Sequence, residues 1–280
     1  MKSIFLYIRS SNWLKNLLVF FPLIFGYKLF NFPYNFNVFI AFFIFMLASN
    51  AVYLINDAID IEYDKFHPLK RFRPLASGKI SRKEALGVSF ILSVFSLFFA
   101  FLLNTGFGWI LVIYFVLNYA YSTFFKKIII IDVFCLASFF ILRLFAGNVI
   151  AKVKLSAWLI CMTIILSLIL GFTKRSQESK MPNSNKISGY FYFAKYNSKF
   201  SKGIVIGLVV FLFLAYIYFA KNFVFLLVTL PFAFFGVLRY LYLLQIPGGY
   251  GDPVRIAAED KIMQIDILIW ILICIILIYK

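Results

Sequence analysis

The stretch INDAIDIEYDKFHPLKRFRPLASG, Ile55–Gly78, interrupts a chain that is otherwise rich in Phe, Ile and Leu. It carries four acids, four Lys/Arg residues and the only His of the 280-residue sequence. The whole sequence is 63% hydrophobic and 14% charged, with a mean hydropathy of +0.93. A soluble domain is nearer half apolar and a quarter charged, so this composition points to an integral membrane protein. Apolar runs of about 18 residues or more cross a hydrocarbon core of about 30 Å as helices. A barrel would instead alternate over strands of about 10 residues, and the sequence has no such pattern.

Outward from the charged stretch, nine apolar runs qualify as spans, near residues 17–34, 37–56, 84–103, 108–124, 130–151, 155–173, 203–220, 222–243 and 262–279. The expected fold is all-α, a polytopic membrane bundle of about nine helices forming one unit over residues 1–280. Met1–Asn16 carries Lys2, Arg9 and Lys15 among aromatics, which is not a cleavable signal, so the first span is expected to be retained. Of the 28 Lys/Arg residues, 22 fall on the side of the N-terminus and five on the other, with Arg143 inside a span. That bias puts the N-terminus in the cytoplasm and the C-terminus outside. The net charge of +17 fits this topology and attraction to anionic lipid. Nucleic acid is excluded as a partner, since no soluble domain presents a basic face.

All eleven acids lie on the cytoplasmic side or in the adjacent span ends. The positive-inside rule does not place acids, so a cytoplasm-facing polar site is the simplest cause. On a helix, Asp57, Asp60 and Asp64 recur at i, i+3 and i+7, and Asn56 is i+4 from Asp60, so all four share a face. Carboxylates and an amide on one face, with phosphate nearby, suit Mg²⁺. The alternative is a solvated helix end balanced by Lys65, Lys70, Arg71 and Arg73. The helical spacing, the Asn and the position at the end of a span favour the metal. In the basic half, Lys70, Arg71 and Arg73 are phosphate-binding residue types, with Pro68 and Pro74 stiffening the loop. His67 either touches phosphate or caps the turn. Carboxylates for a metal beside cations for phosphate suit a diphosphate leaving group.

The segment NDAIDIEYD, Asn56–Asp64, resembles the NDxxDxxxD signature of the UbiA-type intramembrane prenyltransferase superfamily. HPLKRFRPLASGKIS, His67–Ser81, is similar to the HPxKxxRPxAxG form of the decaprenyl-phosphate phosphoribosyltransferase-like subfamily. Further likenesses run in order along the chain. They are SSNWLKNLLVFFPLIF at Ser10–Phe25 (with Asn12 where Gln is usual), YSTFFKKIIIIDVFCLASFFILRLFAG at Tyr121–Gly147, FTKRSQE at Phe172–Glu178 and RYLYLLQIPGGYGDPVRIAAEDKIMQ at Arg239–Gln264.

The resemblance implies pentosyl transfer in the inner (cytoplasmic) membrane, from phosphoribosyl diphosphate to a polyprenyl phosphate lipid. It implies Mg²⁺, or Mn²⁺, held by Asp57, Asp60 and Asp64, with Asn56, Asp57 and Asp60 as the catalytic group. Phosphates of donor or lipid would meet Lys15, Asn16, Lys70, Arg71, Arg73, Tyr121, Ser122, Lys126, Lys174 and Arg175. A homo-oligomer, a trimer, fits the same family. Prenyl diphosphate users carry a second aspartate-rich motif after the sixth span. Here that place holds Lys174, Arg175 and Glu178. A donor gripped by metal plus Lys/Arg fits better than an isoprenoid diphosphate clamped by two acidic motifs.

Each of these residues has a plainer reading. Lys15 and Lys126 can snorkel to the interface. Tyr121 and Ser122 can simply pack. Asp132 and Arg143 are about 16 Å apart along span 5, so each needs a partner on another helix. Asp252, Glu259 and Asp260 read as structural acids. Cys135, Cys161 and Cys274 sit in apolar runs without a CxxC pair and read as packing residues. Two rivals stand beside pentosyl transfer: prenyl transfer to an aromatic acceptor, and transport, which would put polar groups near mid-membrane and show an inverted repeat.

Overall fold

The computed structural model describes residues 13–67, 69–179, 198–220, 225–245, 256 and 259–280. Every regular element among them is helical. The chain runs through α1 (Trp13–Phe25), α2 (Tyr34–Ile59), α3 (Arg82–Leu103), α4 (Thr105–Thr123), α5 (Ile131–Ala151), α6 (Ala157–Glu178), α7 (Ser198–Ala220), α8 (Phe225–Leu243) and α9 (Lys261–Tyr279). Over the described residues seven of these are long and apolar enough to cross a membrane, and Trp13–Phe25 and Leu227–Leu243 are shorter apolar stretches. One face of α3 (Phe90, Val94, Phe98 and Leu102) is exposed, as a lipid-facing surface would be.

The first expected span is corrected. Apolar residues continue from Leu17 to Tyr34, but the helix stops at Phe25, and residues 26–33 are turns. Among the described residues, α1 therefore covers only the first part of the expected span. Within α1 the turn Leu17–Phe20 is a 3₁₀ helix, followed by Pro22 at the start of the next α-helical turn. The other eight expected spans each coincide with a helix to within a few residues.

Helix α5 is the hub, packing against α1, α2, α4 and α6. Its approach to α1 needs a glycine. A Cβ on Gly147 would collide with the backbone carbonyl of Val19. Close backbone contact through small residues is how helices associate where lipid removes the hydrophobic drive. Around this contact Val19, Leu23, Phe45, Phe107, Leu111, Tyr114 and Ala146 form the main core. A second core joins α5, α6 and α7 through Val133, Ile165, Ile169 and Leu212.

Local signals set the helix ends that matter for the site. Ser81 caps α3: its Oγ accepts from the Glu84 amide at 3.2 Å, and its own amide donates to the Glu84 carboxylate at 2.7 Å. Asn104 alone separates α3 from α4 and caps α4 through the Phe107 amide. Helix α2 ends at Ile59, with Asp60 out of helical conformation, and a one-turn helix follows at Ile61–Asp64. The expected single helical face over Asn56–Asp64 is therefore two short faces meeting at Asp60.

Candidate active site

The charged stretch folds back on the end of α2. Leu75 and Ile80 pack against Leu54, Ala58 and Ala85, which anchors the loop. The turn is closed by the Ser77 amide on the Arg73 carbonyl at 2.8 Å and passes through Gly78 at φ +74°. This anchoring brings Arg73 beside the acids. Its Nη1 donates to Asp57 Oδ1 at 3.0 Å and Asp64 Oδ2 at 2.6 Å. Burial pushes the Asp64 carboxyl above its ordinary range despite the opposing pull of Arg73 and Lys70. His67 caps the turn: its Nδ1 accepts from the Leu69 and Lys70 amides, both at 3.1 Å. Burial, reinforced by Lys70, lowers His67 to about 3, so it is neutral at physiological pH. Pro68 lies outside the described residues.

A cavity opens beside this loop between α2, α4, α5 and α6. Asn56, Asp60, Tyr63, Asp64, Lys70 and Arg73 line one wall. Ser122 comes from the end of α4, Lys126 and Lys127 from the 3₁₀ turn that follows it, Lys15 from α1, Lys174, Arg175 and Glu178 from α6, and Arg143 from α5. Lys126 pairs with Asp60. Ser122 Oγ donates to Asn56 Oδ1 at 3.1 Å, which leaves the Asn56 amide group as a donor. Lys70 reaches Glu178 at 3.4 Å and ties the loop to α6. The lining carries eight Lys/Arg residues against three acids.

Several expected site residues have other partners. Arg175 is 3% exposed and holds Asp132 and Glu178 as ion pairs, with Tyr121 Oη accepting from its Nη2 at 2.7 Å. Arg175 and Tyr121 thus line the cavity and brace its wall. Asn16 is buried away from the cavity, its Oδ1 accepting from Arg143 Nε at 2.8 Å and Ser49 Oγ at 3.1 Å. Arg71 is exposed beside Phe72, away from the cavity. Asp132 and Arg143 each find partners on other helices, as their spacing requires. Asp260 caps α9 through the Met263 amide and pairs with Arg239, whose hydrogen bond lowers its pKa. Asp252 lies outside the described residues.

The aspartates do not gather around one point. Among the described residues no group of three or more His, Cys, Asp or Glu could hold a metal ion. Asp60 and Asp64 line the cavity with Asn56, while Asp57 is buried behind them on Arg73. Two carboxylates and an amide still fit a hard cation of the Mg²⁺ type, which takes one or two protein carboxylates and completes its shell with water and substrate phosphates.

A model of the UbiA prenyltransferase family matches residues 17–249. The chain belongs to this family. A relative from Mycolicibacterium smegmatis, a decaprenyl-phosphate phosphoribosyltransferase, is 31% identical over 288 residues, spanning 94% of this chain and 88% of that protein. An enzyme of the same name from Mycobacterium tuberculosis H37Rv is 30% identical over 275 residues, spanning 94% of this chain and 90% of that one. Among solved structures, a UbiA homologue from Archaeoglobus fulgidus bound to GPP and Mg²⁺ superposes with a TM-score of 0.71 at 17% identity, covering 99% of this chain and 100% of that one. The same archaeal UbiA homologue is also known bound to Cd²⁺. The chain is thus a multi-pass membrane protein with the UbiA fold, and divalent metals occur in its family.

Two contributors, Glu178 and Arg143, were noted in the sequence but not assigned to the site. Glu178 links Lys70 to Arg175, and Arg143 lines the cavity's inner end. The signal for Arg143 was present: an arginine inside an apolar span with no acid at helical spacing.

Proposed function

We propose that the chain transfers 5-phosphoribosyl from phosphoribosyl diphosphate to a polyprenyl phosphate of the decaprenyl type, releasing diphosphate. The observation that carries this is the cationic lining, eight Lys/Arg residues against three acids, with Lys174, Arg175 and Glu178 where a second acidic motif would face an isoprenoid diphosphate. A donor with two phosphorylated ends and a phosphorylated acceptor together bring more negative charge than one prenyl diphosphate. The relatives at about 30% identity carry the corresponding name and are matched over nearly their full length.

A phosphate oxygen of the lipid attacks the anomeric carbon, the bond to diphosphate breaks, and charge builds on the leaving group. The protein's task is to position the partners and neutralise that charge. Lys70 and Lys126 meet donor phosphates, and the Asn56 amide donates to a donor oxygen. Asp60 and Asp64 would hold a divalent cation, Mg²⁺ or Mn²⁺, which would supply further neutralisation of the diphosphate. Arg73 holds Asp57 and Asp64 in place. No strong base is required, because the lipid phosphate is already an anion, and His67 is committed to its turn. The site faces the cytoplasm of the inner membrane, where the sugar donor is soluble and the lysine-rich side lies.

The test combines purified protein, Mg²⁺, a polyprenyl phosphate and phosphoribosyl diphosphate labelled in the ribose. Label entering the organic phase, and blocked by EDTA, supports the reading. Transfer from an isoprenyl diphosphate to an aromatic acceptor instead would overturn it.

A further inference from the structure

Arg143 sits inside α5 and is 2% exposed. Its guanidinium donates from Nε to Asn16 Oδ1 at 2.8 Å, from Nη1 to the Phe139 carbonyl at 2.6 Å, and from Nη2 to Tyr114 Oη at 3.1 Å. A longer contact of 3.4 Å joins Nη2 to Ser49 Oγ. The rings of Phe45 and Tyr114 lie 5.1 and 5.2 Å from the guanidinium carbon. Every one of these partners is neutral. Arg175 is as deeply buried and takes two carboxylates; Arg73 also takes two. Among the described residues no ion pair includes Arg143.

An arginine does not shed its proton, so this charge persists. A lone charge at membrane depth is costly and marks a functional position. Arg143 also lines the same cavity as Asp60 and Asp64. Its depth follows from its neighbours. Ser49 precedes Asn56 by seven residues on α2, and Tyr114 precedes Ser122 by eight on α4. At 1.5 Å per residue the guanidinium lies roughly 10–12 Å below the acidic mouth. The second N–H of Nη1 has no acceptor among the described residues, and the Ser49 contact is long enough to yield. Two donors can therefore turn to a ligand without losing the bonds that aim the group.

We propose that Arg143 is a second anion subsite at the inner end of the cavity, binding a phosphate monoester while the diphosphate occupies the mouth. Asn16 and Tyr114 are its positioning residues. The proposal rests on the phosphoribosyl-transfer reading for what the cavity holds. Two groups of that reaction share the required chemistry, the 5-phosphate of the sugar donor and the phosphate of the lipid.

Binding separates the sources without turnover. The protein in detergent is titrated with ribose 5-phosphate against ribose, and with geranyl phosphate against geraniol, following thermal protection. Wild type should be protected by one monoester and not by its dephosphorylated partner. Arg143→Met should weaken that monoester by about 10- to 100-fold, the range of a charge-assisted pair. Arg143→Lys keeps the charge but loses the forked donors, and should weaken it by at least about 5-fold. Loss for ribose 5-phosphate assigns the subsite to the donor; loss for geranyl phosphate assigns it to the acceptor. If R143M does not fold, R143K decides alone. If the folded variants bind both monoesters as wild type does, or neither monoester binds wild type better than its alcohol, the subsite is refuted. Should wild type transfer no phosphoribosyl group yet show the Arg143-dependent protection, the reaction assignment fails and the subsite stands.

Discussion

Replacing Arg175 with alanine isolates what its buried network does. Asp132 and Glu178 are 1% and 5% exposed at the side chain, and both pair with Arg175. Removing the arginine leaves two carboxylates in a dry wall, with Lys70 at 3.4 Å from Glu178 as a weak substitute. Breaking a buried pair typically costs about 3–5 kcal/mol, mostly from the charge left behind. At about 2–3 °C per kcal/mol for a chain of this size, the melting temperature in detergent should fall by roughly 6–15 °C. The informative partner is the triple variant Arg175→Met, Asp132→Asn, Glu178→Gln. It removes all three charges at similar volume, so it should recover at least half of the lost stability. Intrinsic tryptophan fluorescence during a thermal ramp reads all three proteins. If the single variant melts like wild type, or the triple variant melts no higher than the single one, the network does not brace the wall. Arg175 would then be open to a ligand-binding role instead.

Other changes probe the mouth and the packing. Asp60→Asn and Asp64→Asn should each lower phosphoribosyl transfer by about 100-fold or more, with unchanged elution from a sizing column; near-normal turnover in either would sink its role. The His67 imidazole is held neutral, so its contribution to stability is present above pH 6.5 and is lost as pH falls from 6.5 toward about 3. Melting temperatures from pH 7 to 4 should show an acid-side loss that His67→Asn, which keeps an acceptor for the turn, makes shallower. Gly147→Ala puts a methyl into the Val19 carbonyl and should cost about 1–3 kcal/mol, seen as a lower melting temperature.

Much of the molecule is legible before any folding is considered, because a bilayer imposes a length and polarity on each span. Helices α2 to α9 follow from their apolar runs alone. The first span misleads because hydropathy counts side chains, whereas Pro22, Gly26 and Pro33 act on the backbone. The aspartate spacing correctly marks a site, yet it carries no information about partners. That Arg73 bridges Asp57 and Asp64 depends on Leu75 and Ile80 anchoring a loop, which is a tertiary event. Lys126 meeting Asp60 likewise joins residues from separate helices. Arg71 and Arg73 look equivalent in sequence, and only the turn between them sends one to the acids and the other to solvent.

The α1–α5 seam has a consequence for traffic. It is fastened at two heights, Asn16 to Arg143 and the Val19 carbonyl against Gly147, and just past both helix ends by Lys28 Nζ on the Ala151 and Lys152 carbonyls at 3.1 and 3.0 Å. Two helices stitched along their common length move as one post, so no lateral doorway for a polyprenyl chain opens between them. On the proposed reaction, the lipid would then enter past some other pair of helices. A covalent cross-link sewn across this seam should therefore leave its passage undisturbed, with uptake of a long-chain polyprenyl phosphate as the readout.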